Sequence, residues 1–216
     1  MTFDAGLGLS ADEVLTTTRA VRKRLDYSRP VERAVLQDCV RVASQAPSGR
    51  NRQRWDFVFV GDTVTKAAVA RWWLAGLRKG QPGGHTTRDA SAAGWQRIAA
   101  SLDDLAARLH EAPWLVIPTV RVDSRAELHD VRGQAGAWGS VFPAFWSFML
   151  AARERGLGTA WTTAHLSYER EVAEVLGLPF DTVVQGALSP VAYTLGTEFR
   201  PARRAPADEF IHWDRW

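Results

Sequence analysis

The stretch GQAGAWGSVFPAFWSFMLAA, residues 133–152, contains no acidic or basic residue. A run of this length could cross a lipid bilayer as a helix. Its apolar surface is interrupted, however, by small or helix-breaking residues, namely Gly136, Gly139, Ser140, Pro143 and Ser147. The stretch also stands alone in an otherwise globular chain. We therefore reject a membrane span and predict a helix over about 133–155 that is buried on all sides.

Helix and strand patterns alternate on both sides of this helix. Apolar spacing and capping signals predict further helices over about 10–18, 31–46, 62–77, 90–110 and 167–176. Runs rich in β-branched and aromatic residues predict strands over 55–60, 114–122, 159–163 and 183–195. Because helix outweighs strand and the two are mixed in order, we predict the α+β class. We expect one domain over residues 1–216, in which about 63–112 form a variable helical or lid insertion.

Composition excludes several classes of protein. The chain has 216 residues, 46% of them hydrophobic, and one cysteine. These values exclude a disordered chain, a disulfide scaffold and a Cys-x-x-Cys metal finger. The net charge of +3 is too small for a nucleic-acid footprint by itself, and the first ten residues carry no signal-peptide pattern. We therefore expect a cytoplasmic protein that binds neither nucleic acid nor membrane.

Common catalytic motifs are missing or misplaced. The string GLGLSA at 6–11 matches a dinucleotide-binding pattern, but only five residues precede it, so no strand can lead into its turn. The five histidines are scattered and predict no metal site or hydrolytic triad. Cys39 lies on an apolar helical stripe, where a small buried side chain is the expectation.

Two polar motifs remain. Arg19 and Arg22 are three residues apart, so a helix start or turn would place both guanidiniums on one side, where they could hold a phosphate. The alternative is a solvated basic face. The turn APSGRNRQRW at 46–55 offers hydroxyl, amide and backbone groups suited to the polar edge of a flat heterocycle. The alternative here is an ordinary capped turn.

The order of five segments resembles that of the nitroreductase family of flavin-dependent oxidoreductases. The segments span nearly the whole chain: TRAVRKR at 18–24, RPV at 29–31, APSGRNRQRW at 46–55, GLGTAWTT at 156–163 and RRAP at 203–206. The sequence is most similar to actinobacterial, mycobacterial-type members. It departs from the family pattern at Ala20, where many relatives carry Ser, and at Arg54, where many carry Pro and where the pocket edge becomes more cationic.

The resemblance implies a nitroreductase-like fold with a mixed central sheet of four to five strands and an intertwined homodimer that holds FMN at its interface. It assigns FMN contacts to the basic segment (Arg19, Ala20, Arg22), to the tail (Arg203, Arg204), to a turn presented by the partner subunit (Pro47, Ser48, Gly49, Asn51) and to a strand end beside the flavin ring, largely through its backbone (Trp161, Thr162, Thr163). Gly136, Gly139 and Ser140 would allow close approach of the twin helix.

The same resemblance implies the chemistry. FMN carries hydride from NAD(P)H through its N5 to a nitroaromatic, quinone or similar acceptor by a ping-pong mechanism, which explains the lack of a catalytic triad. We expect Arg22 to stabilise negative charge on the flavin, and the acceptor pocket to be walled by Trp72, Trp73 and Trp95. A slight preference for NADPH would come from Arg52, Arg54 and Arg78.

Three other kinds of function remain open at this point, because proteins with these functions have the same fold or use one of the same motifs. One is a flavin-fragmenting or dehalogenating enzyme on the same fold. Another is a flavin-storage or sensor protein. The basic segment alone would also suit a nucleic-acid-binding module.

Overall fold

The computed structural model describes residues 6–79 and 92–216, apart from the side chains of residues 92–95. Six α-helices are present in these ranges: α1 (Ala11–Thr17), α2 (Arg33–Ala43), α3 (Thr63–Lys79), α4 (Ala92–Arg108), α5 (Val131–Glu154) and α6 (Glu169–Leu176). The strands are β1 (Leu25–Asp26), β2 (Trp55–Val60), β3 (Trp114–Arg121), β4 (Leu157–Thr159), β5 (Val183–Gln185) and β6 (Ser189–Thr194). The α+β class is confirmed.

The described strands form one sheet in the order β1-β6-β3-β2, with β4 also paired to β6 and β5 to β3. The named ladders are antiparallel, and in the described ranges parallel pairing is limited to an isolated bridge between Ala20 and Thr159. The sheet therefore has six strands rather than four to five. One extra strand is the two-residue β1, and the other arises because residues 183–195 form two strands.

Pro118 explains the break between β5 and β6. Both short strands pair with the same side of β3, β5 through Thr119–Arg121 and β6 through Trp114–Val116. The Pro118 carbonyl between them accepts a hydrogen bond from the Gly186 N–H at 2.8 Å. Since a strand residue directs its N–H and C=O to the same neighbour, the N–H that proline lacks leaves the ladder incomplete at this point.

Helix α5 is the long helix expected from the sequence. Asp130 caps its first turn by accepting a hydrogen bond from the Gly133 N–H at 2.8 Å. One face is buried and packs against α2 and β3. Burial on all sides is wrong, because the described chain leaves Gly136 and Gly139 exposed with open space above them and Trp146 39% exposed. An open strip therefore runs along α5.

The α1 cap and the burial of Cys39 agree with the sequence predictions, whereas the third strand does not lie where it was predicted. Ser10 and Glu13 form both hydrogen bonds of a capping box at the start of α1. Cys39 is buried in the core, where burial raises the pKa of its thiol to about 12. The third strand is shifted toward the N-terminus: β4 ends at Thr159, where the prediction began. No helix among the described residues is both long and apolar enough to cross a membrane.

Candidate flavin site

The basic segment lies beside the end of β4. Ala20 forms the parallel bridge to Thr159, and the Val21 N–H donates to the Thr159 carbonyl at 2.8 Å. Gly158 permits this close approach, because a Cβ there would lie 2.9 Å from the Cβ of Val21. The segment that carries Arg19 and Arg22 is therefore placed next to the chain that continues into Trp161, Thr162 and Thr163.

The C-terminal tail returns to the same basic segment. Arg19 donates from Nη1 to the Arg200 carbonyl at 2.9 Å. Arg24 donates to the carbonyls of Leu195, Gly196 and Glu198, and its guanidinium lies 4.2 Å from the Phe199 ring centroid. Arg203 and Arg204 follow a few residues later and are exposed. The structure thus brings residues 195–200 of the tail against the basic segment, and a shared role of Arg203 and Arg204 in binding phosphate stays a prediction.

Arg22 is a half-buried cation without a carboxylate. Its Nη1 donates to Ser101 Oγ on α4 at 3.3 Å, and no ion pair to Arg22 is found in the part of the chain that the structure describes. Burial lowers the pKa of Arg22, because desolvation disfavours the charged form. An anion at this position would offset that cost, so the site fits the phosphate or the negatively charged ring of FMN.

The segment after β4 is held by its neighbours. The Thr162 N–H and C=O form a bridge with Leu188 at 2.9 and 2.8 Å. The Thr162 hydroxyl accepts a hydrogen bond from Trp73 Nε1 at 2.8 Å. The Trp161 ring packs against Phe142 and Phe145 of α5, with centroids 4.9 and 4.8 Å apart. The predicted backbone contact from Thr162 stays a prediction, since its N–H is already bonded within the chain but its carbonyl keeps a second lone pair.

The turn at residues 47–51 is exposed or half-buried and carries unusual backbone angles. Arg50, Asn51 and Gln53 have φ values of 56°, 54° and 47°, in the left-handed region that non-glycine residues seldom adopt. The Gly49 N–H donates to Ser140 Oγ on α5 at 3.2 Å. Such strain persists where surrounding contacts hold it and is typical of ligand-binding segments. Ser140 is consequently buried beneath the turn rather than exposed on the open strip of α5.

The turn and the basic segment are separate in the described chain. No hydrogen bond or ion pair found among residues 6–79 and 96–216 joins the turn to Arg19 or Arg22. A groove of about 420 Å³ adjoins the turn instead, between β3 and α5, and its lining includes Gly49, Arg52 and Gly136.

Arg54 does not supply a free cation at the pocket edge. Its guanidinium forms ion pairs with Asp123 at 3.2 Å and with Glu127 at 3.1 Å. The hydrogen bond to Glu127 is the main reason why the pKa of Arg54 is raised. Arg52 and Arg78 are exposed. They are therefore the remaining candidates for binding the additional phosphate of NADPH.

The three predicted pocket tryptophans have different environments. Trp73 is fully buried in the core. It therefore cannot wall an open pocket. Its indole N–H donates a hydrogen bond to the Thr162 hydroxyl instead. Trp72 is half-buried and packs against Tyr168 in a tilted arrangement with ring centroids 5.1 Å apart, so it remains a candidate wall. The side chain of Trp95 lies outside the described residues.

A larger groove lies elsewhere. It has a volume of about 1030 Å³ and lies between β2, the start of α3 and the chain before α2. Its lining includes Arg33, Phe59, Lys66 and Trp114 and none of the predicted site residues.

Sequence reasoning missed the roles of four residues that contact or adjoin the candidate site, and it had named Ser140 only for close approach of a twin helix. Ser101 and Ser140 hold Arg22 and Gly49, and a lone serine in a helix gives no sequence signal for either role. Arg153 is 95% buried and contacts Thr17, next to the basic segment, through Nε and Nη2 at 3.3–3.4 Å. His165 is fully buried, and neither ring nitrogen has a partner in the described structure. Burial lowers its pKa to about 3, so the ring is neutral.

Comparison with known proteins identifies the family. Residues 15–193 match the model of the Nitroreductase family. A relative from Bacillus subtilis (strain 168), described as "Putative NAD(P)H nitroreductase YfhC", is 23% identical over 166 residues, which cover 77% of this chain and 75% of the relative.

Solved structures with a similar fold cover nearly the whole chain. Iodotyrosine deiodinase bound to FMN and 3-iodo-L-tyrosine has a TM-score of 0.71 at 20% identity, over 95% of this chain and 99% of that one. The FMN- and NADPH-dependent nitroreductase NfnB from Sphigopyxis sp. strain HMH has a TM-score of 0.66 at 24% identity, over 96% and 100%. The family match covers most of the chain, and the architecture agrees with it. The chain belongs to the nitroreductase family.

Proposed function

We propose that the protein is an FMN-dependent oxidoreductase that uses NAD(P)H to reduce a nitroaromatic, quinone or similar acceptor. The observation that carries this proposal is Arg22, a half-buried guanidinium without a described carboxylate, beside the segment that continues into Trp161–Thr163. A flavin phosphate or a reduced flavin ring supplies the missing negative charge. Membership of the nitroreductase family and the similarity in fold to an FMN- and NADPH-dependent nitroreductase support the same function.

The proposed roles follow from position and charge. Arg19, Arg203 and Arg204 hold the FMN phosphate, because guanidiniums bind phosphate in a bidentate fork. Arg22 stabilises negative charge on the ring. FMN supplies the hydride-accepting and electron-donating chemistry when bound. The protein binds and orients the flavin, and the nucleotide and the acceptor occupy one place in turn, which gives ping-pong kinetics.

We further propose a homodimer in which the turn of one subunit completes the site of the other. The turn lies on α5 next to Gly136, whose exposed face has open space above it. Trp146 adds an exposed apolar side chain on the same helix. Burial of this strip by a second copy would bring two turns and two basic segments together around a twofold axis.

A second candidate is reductive dehalogenation. The iodotyrosine deiodinase structure matches the chain with a TM-score of 0.71, and structures of the nitroreductase NfnB match it with 0.66–0.69. Fold similarity at this level of identity does not distinguish between the two reactions.

A stopped-flow experiment tests the proposed function. The protein loaded with FMN is mixed anaerobically with NADPH or NADH, and flavin absorbance near 450 nm is followed. We expect bleaching by either nucleotide, faster with NADPH, and reoxidation by a nitroaromatic or quinone. Reoxidation by a halogenated phenol alone would favour the dehalogenase. Bound FMN that no nicotinamide nucleotide reduces would favour a storage or sensor protein and would contradict the proposal.

A further inference from the structure

Helix α3 determines the position of the segment after β4. Trp73 is fully buried and donates its indole N–H to Thr162 Oγ1 at 2.8 Å. One turn later in the same helix, Gly76 lies against Ala164, where a Cβ would come within 1.9 Å of the Ala164 carbonyl oxygen. Two contacts with successive turns of α3 thus hold the chain between Thr162 and Ala164 in place.

The hydrogen bond from Trp73 also limits what the Thr162 hydroxyl can do. A threonine hydroxyl carries one hydrogen, and indole is only a donor. The Thr162 oxygen therefore accepts from Trp73, and its own hydrogen must be donated in another direction. No acceptor for that hydrogen is present in the described part of the chain, and the Thr162 side chain is half-buried.

The main chain of Thr162 strengthens this restriction. Both of its main-chain groups are bonded to Leu188, which fixes the backbone at this point and leaves its N–H unavailable to a ligand. The hydroxyl is its remaining hydrogen-bond donor. An oxidised flavin ring carries several nitrogen and oxygen acceptors along its edge, so it can accept the hydrogen that has no partner within the described chain.

We propose that Trp73 is a positioning residue that fixes the Thr162 hydroxyl as a hydrogen-bond donor to the bound flavin. This inference rests on the proposed function, because the acceptor is the flavin ring. It connects the predicted insertion at 63–112 to cofactor binding through a buried residue of that insertion. Trp73 acts through Thr162 and does not itself touch the flavin.

Trp73→Phe removes the indole donor and keeps an aromatic ring. Trp114→Phe is the matched control, because Trp114 donates its indole N–H to the Val31 carbonyl at the same distance, 2.8 Å, and lies away from the site. We expect both variants to unfold at lower temperature. FMN affinity is expected to fall about 2–10-fold in Trp73→Phe, the range for loss of one hydrogen bond. It should stay within about twofold of wild type in Trp114→Phe, which loses no bond to the site.

Variants of Thr162 test the same hydrogen bond from the other side. Thr162→Val removes the hydroxyl, whereas Thr162→Ser retains it. We expect Thr162→Val to weaken FMN binding and shift the visible spectrum of bound flavin, and Thr162→Ser to leave both close to wild type. Adding Trp73→Phe to Thr162→Val should cause no further loss of affinity. If Trp73→Phe does not fold, unchanged FMN affinity and spectrum in Thr162→Val would still overturn the proposed hydrogen bond to the flavin.

The outcomes separate the two proposals. If wild-type protein binds FMN while Trp73→Phe and Thr162→Val leave affinity and spectrum unchanged, the role of Trp73 is overturned and the proposed function stands. Additive losses in the double variant would also overturn that role. Wild-type protein that takes up no FMN would overturn both proposals together.

Discussion

Ser140 on α5 binds the backbone of Gly49, with a distance of 3.2 Å from the Gly49 nitrogen to the Ser140 Oγ. The same hydroxyl donates to the Gly136 carbonyl at 2.7 Å. Ser140 therefore anchors the strained turn to the helix proposed to lie at the dimer interface. A serine that uses both hydrogen-bonding capacities in this way is a structural part of the site.

Ser140→Ala should loosen this turn. It removes the partner of the Gly49 N–H in a partly buried hydrogen bond, at an expected cost of about 1 kcal/mol in the free energy of unfolding. FMN affinity should fall as well if, as proposed, the turn completes the flavin site of the other subunit. Ser147→Ala on the same helix is the control. Chemical denaturation and FMN titration measure the two effects, and equal behaviour of the two variants would contradict an anchoring role for Ser140.

Arg22→Met should change stability and cofactor binding in opposite directions. Removal of a partly desolvated cation without a described counterion is expected to leave the apoprotein as stable as wild type or more stable. FMN affinity is expected to fall about 10–100-fold, as for loss of about 1.5–3 kcal/mol of charged hydrogen bonds. Arg41→Met removes an exposed arginine paired with Asp38 and serves as the control. Unchanged FMN affinity in Arg22→Met would show that Arg22 does not contribute to FMN binding.

His165 predicts a pH dependence of folding. Its pKa is lowered to about 3 in the folded chain, whereas an unfolded histidine titrates near about 6.5. The unfolded state therefore binds the extra proton as the pH falls below about 6.5, and stability is lost progressively toward pH 3. Between pH 7 and pH 5 this group should cost about 2 kcal/mol of unfolding free energy.

Replacement of His165 isolates this contribution. His165→Leu should be less sensitive to pH over the same interval, whereas His110→Gln, at an exposed position, should behave as wild type does. Denaturant unfolding at pH 7 and pH 5 measures the difference. The same slope in wild type and His165→Leu would show that His165 is not neutral inside the fold.

Gly139→Glu tests the proposed dimer. The exposed face of Gly139 has open space above it, and Glu favours a helix more than Gly does, so the isolated chain should still fold. Two carboxylates at a twofold interface repel each other. We expect a monomer with reduced FMN binding, by light scattering and titration. Val64→Glu, on an exposed site of α3, should leave the oligomeric state unchanged.

Local features of the fold could be predicted from the sequence. The capping box at Ser10 and Glu13, the strand Trp55–Val60 and the long helix α5 all depend on patterns within a few residues. The break opposite Pro118 was missed, because the effect of that proline appears only once the pairing of β3 with β5 and β6 is known.

The contacts that build the site depend on packing between distant segments. Thr162 and Trp73 are 89 residues apart, Arg22 and Ser101 are 79 apart, and Gly49 and Ser140 are 91 apart. Trp73 was expected in a pocket wall because of its place in the variable middle of the chain, and the sequence does not show that this side of α3 faces the core. The resemblance to a family brought Arg22 and Thr162 to attention, but the hydrogen bonds that orient them are visible only in the structure.

Equilibrium titration of the apoprotein with FMN is the most direct test of the site. Flavin fluorescence and absorbance are followed for wild type and for Arg22→Met. The account predicts saturable binding of one FMN per chain to wild type, with a spectrum distinct from free FMN, and binding at least about tenfold weaker in the variant. Wild-type protein that binds no FMN, or that binds it with the same affinity as Arg22→Met, would contradict it.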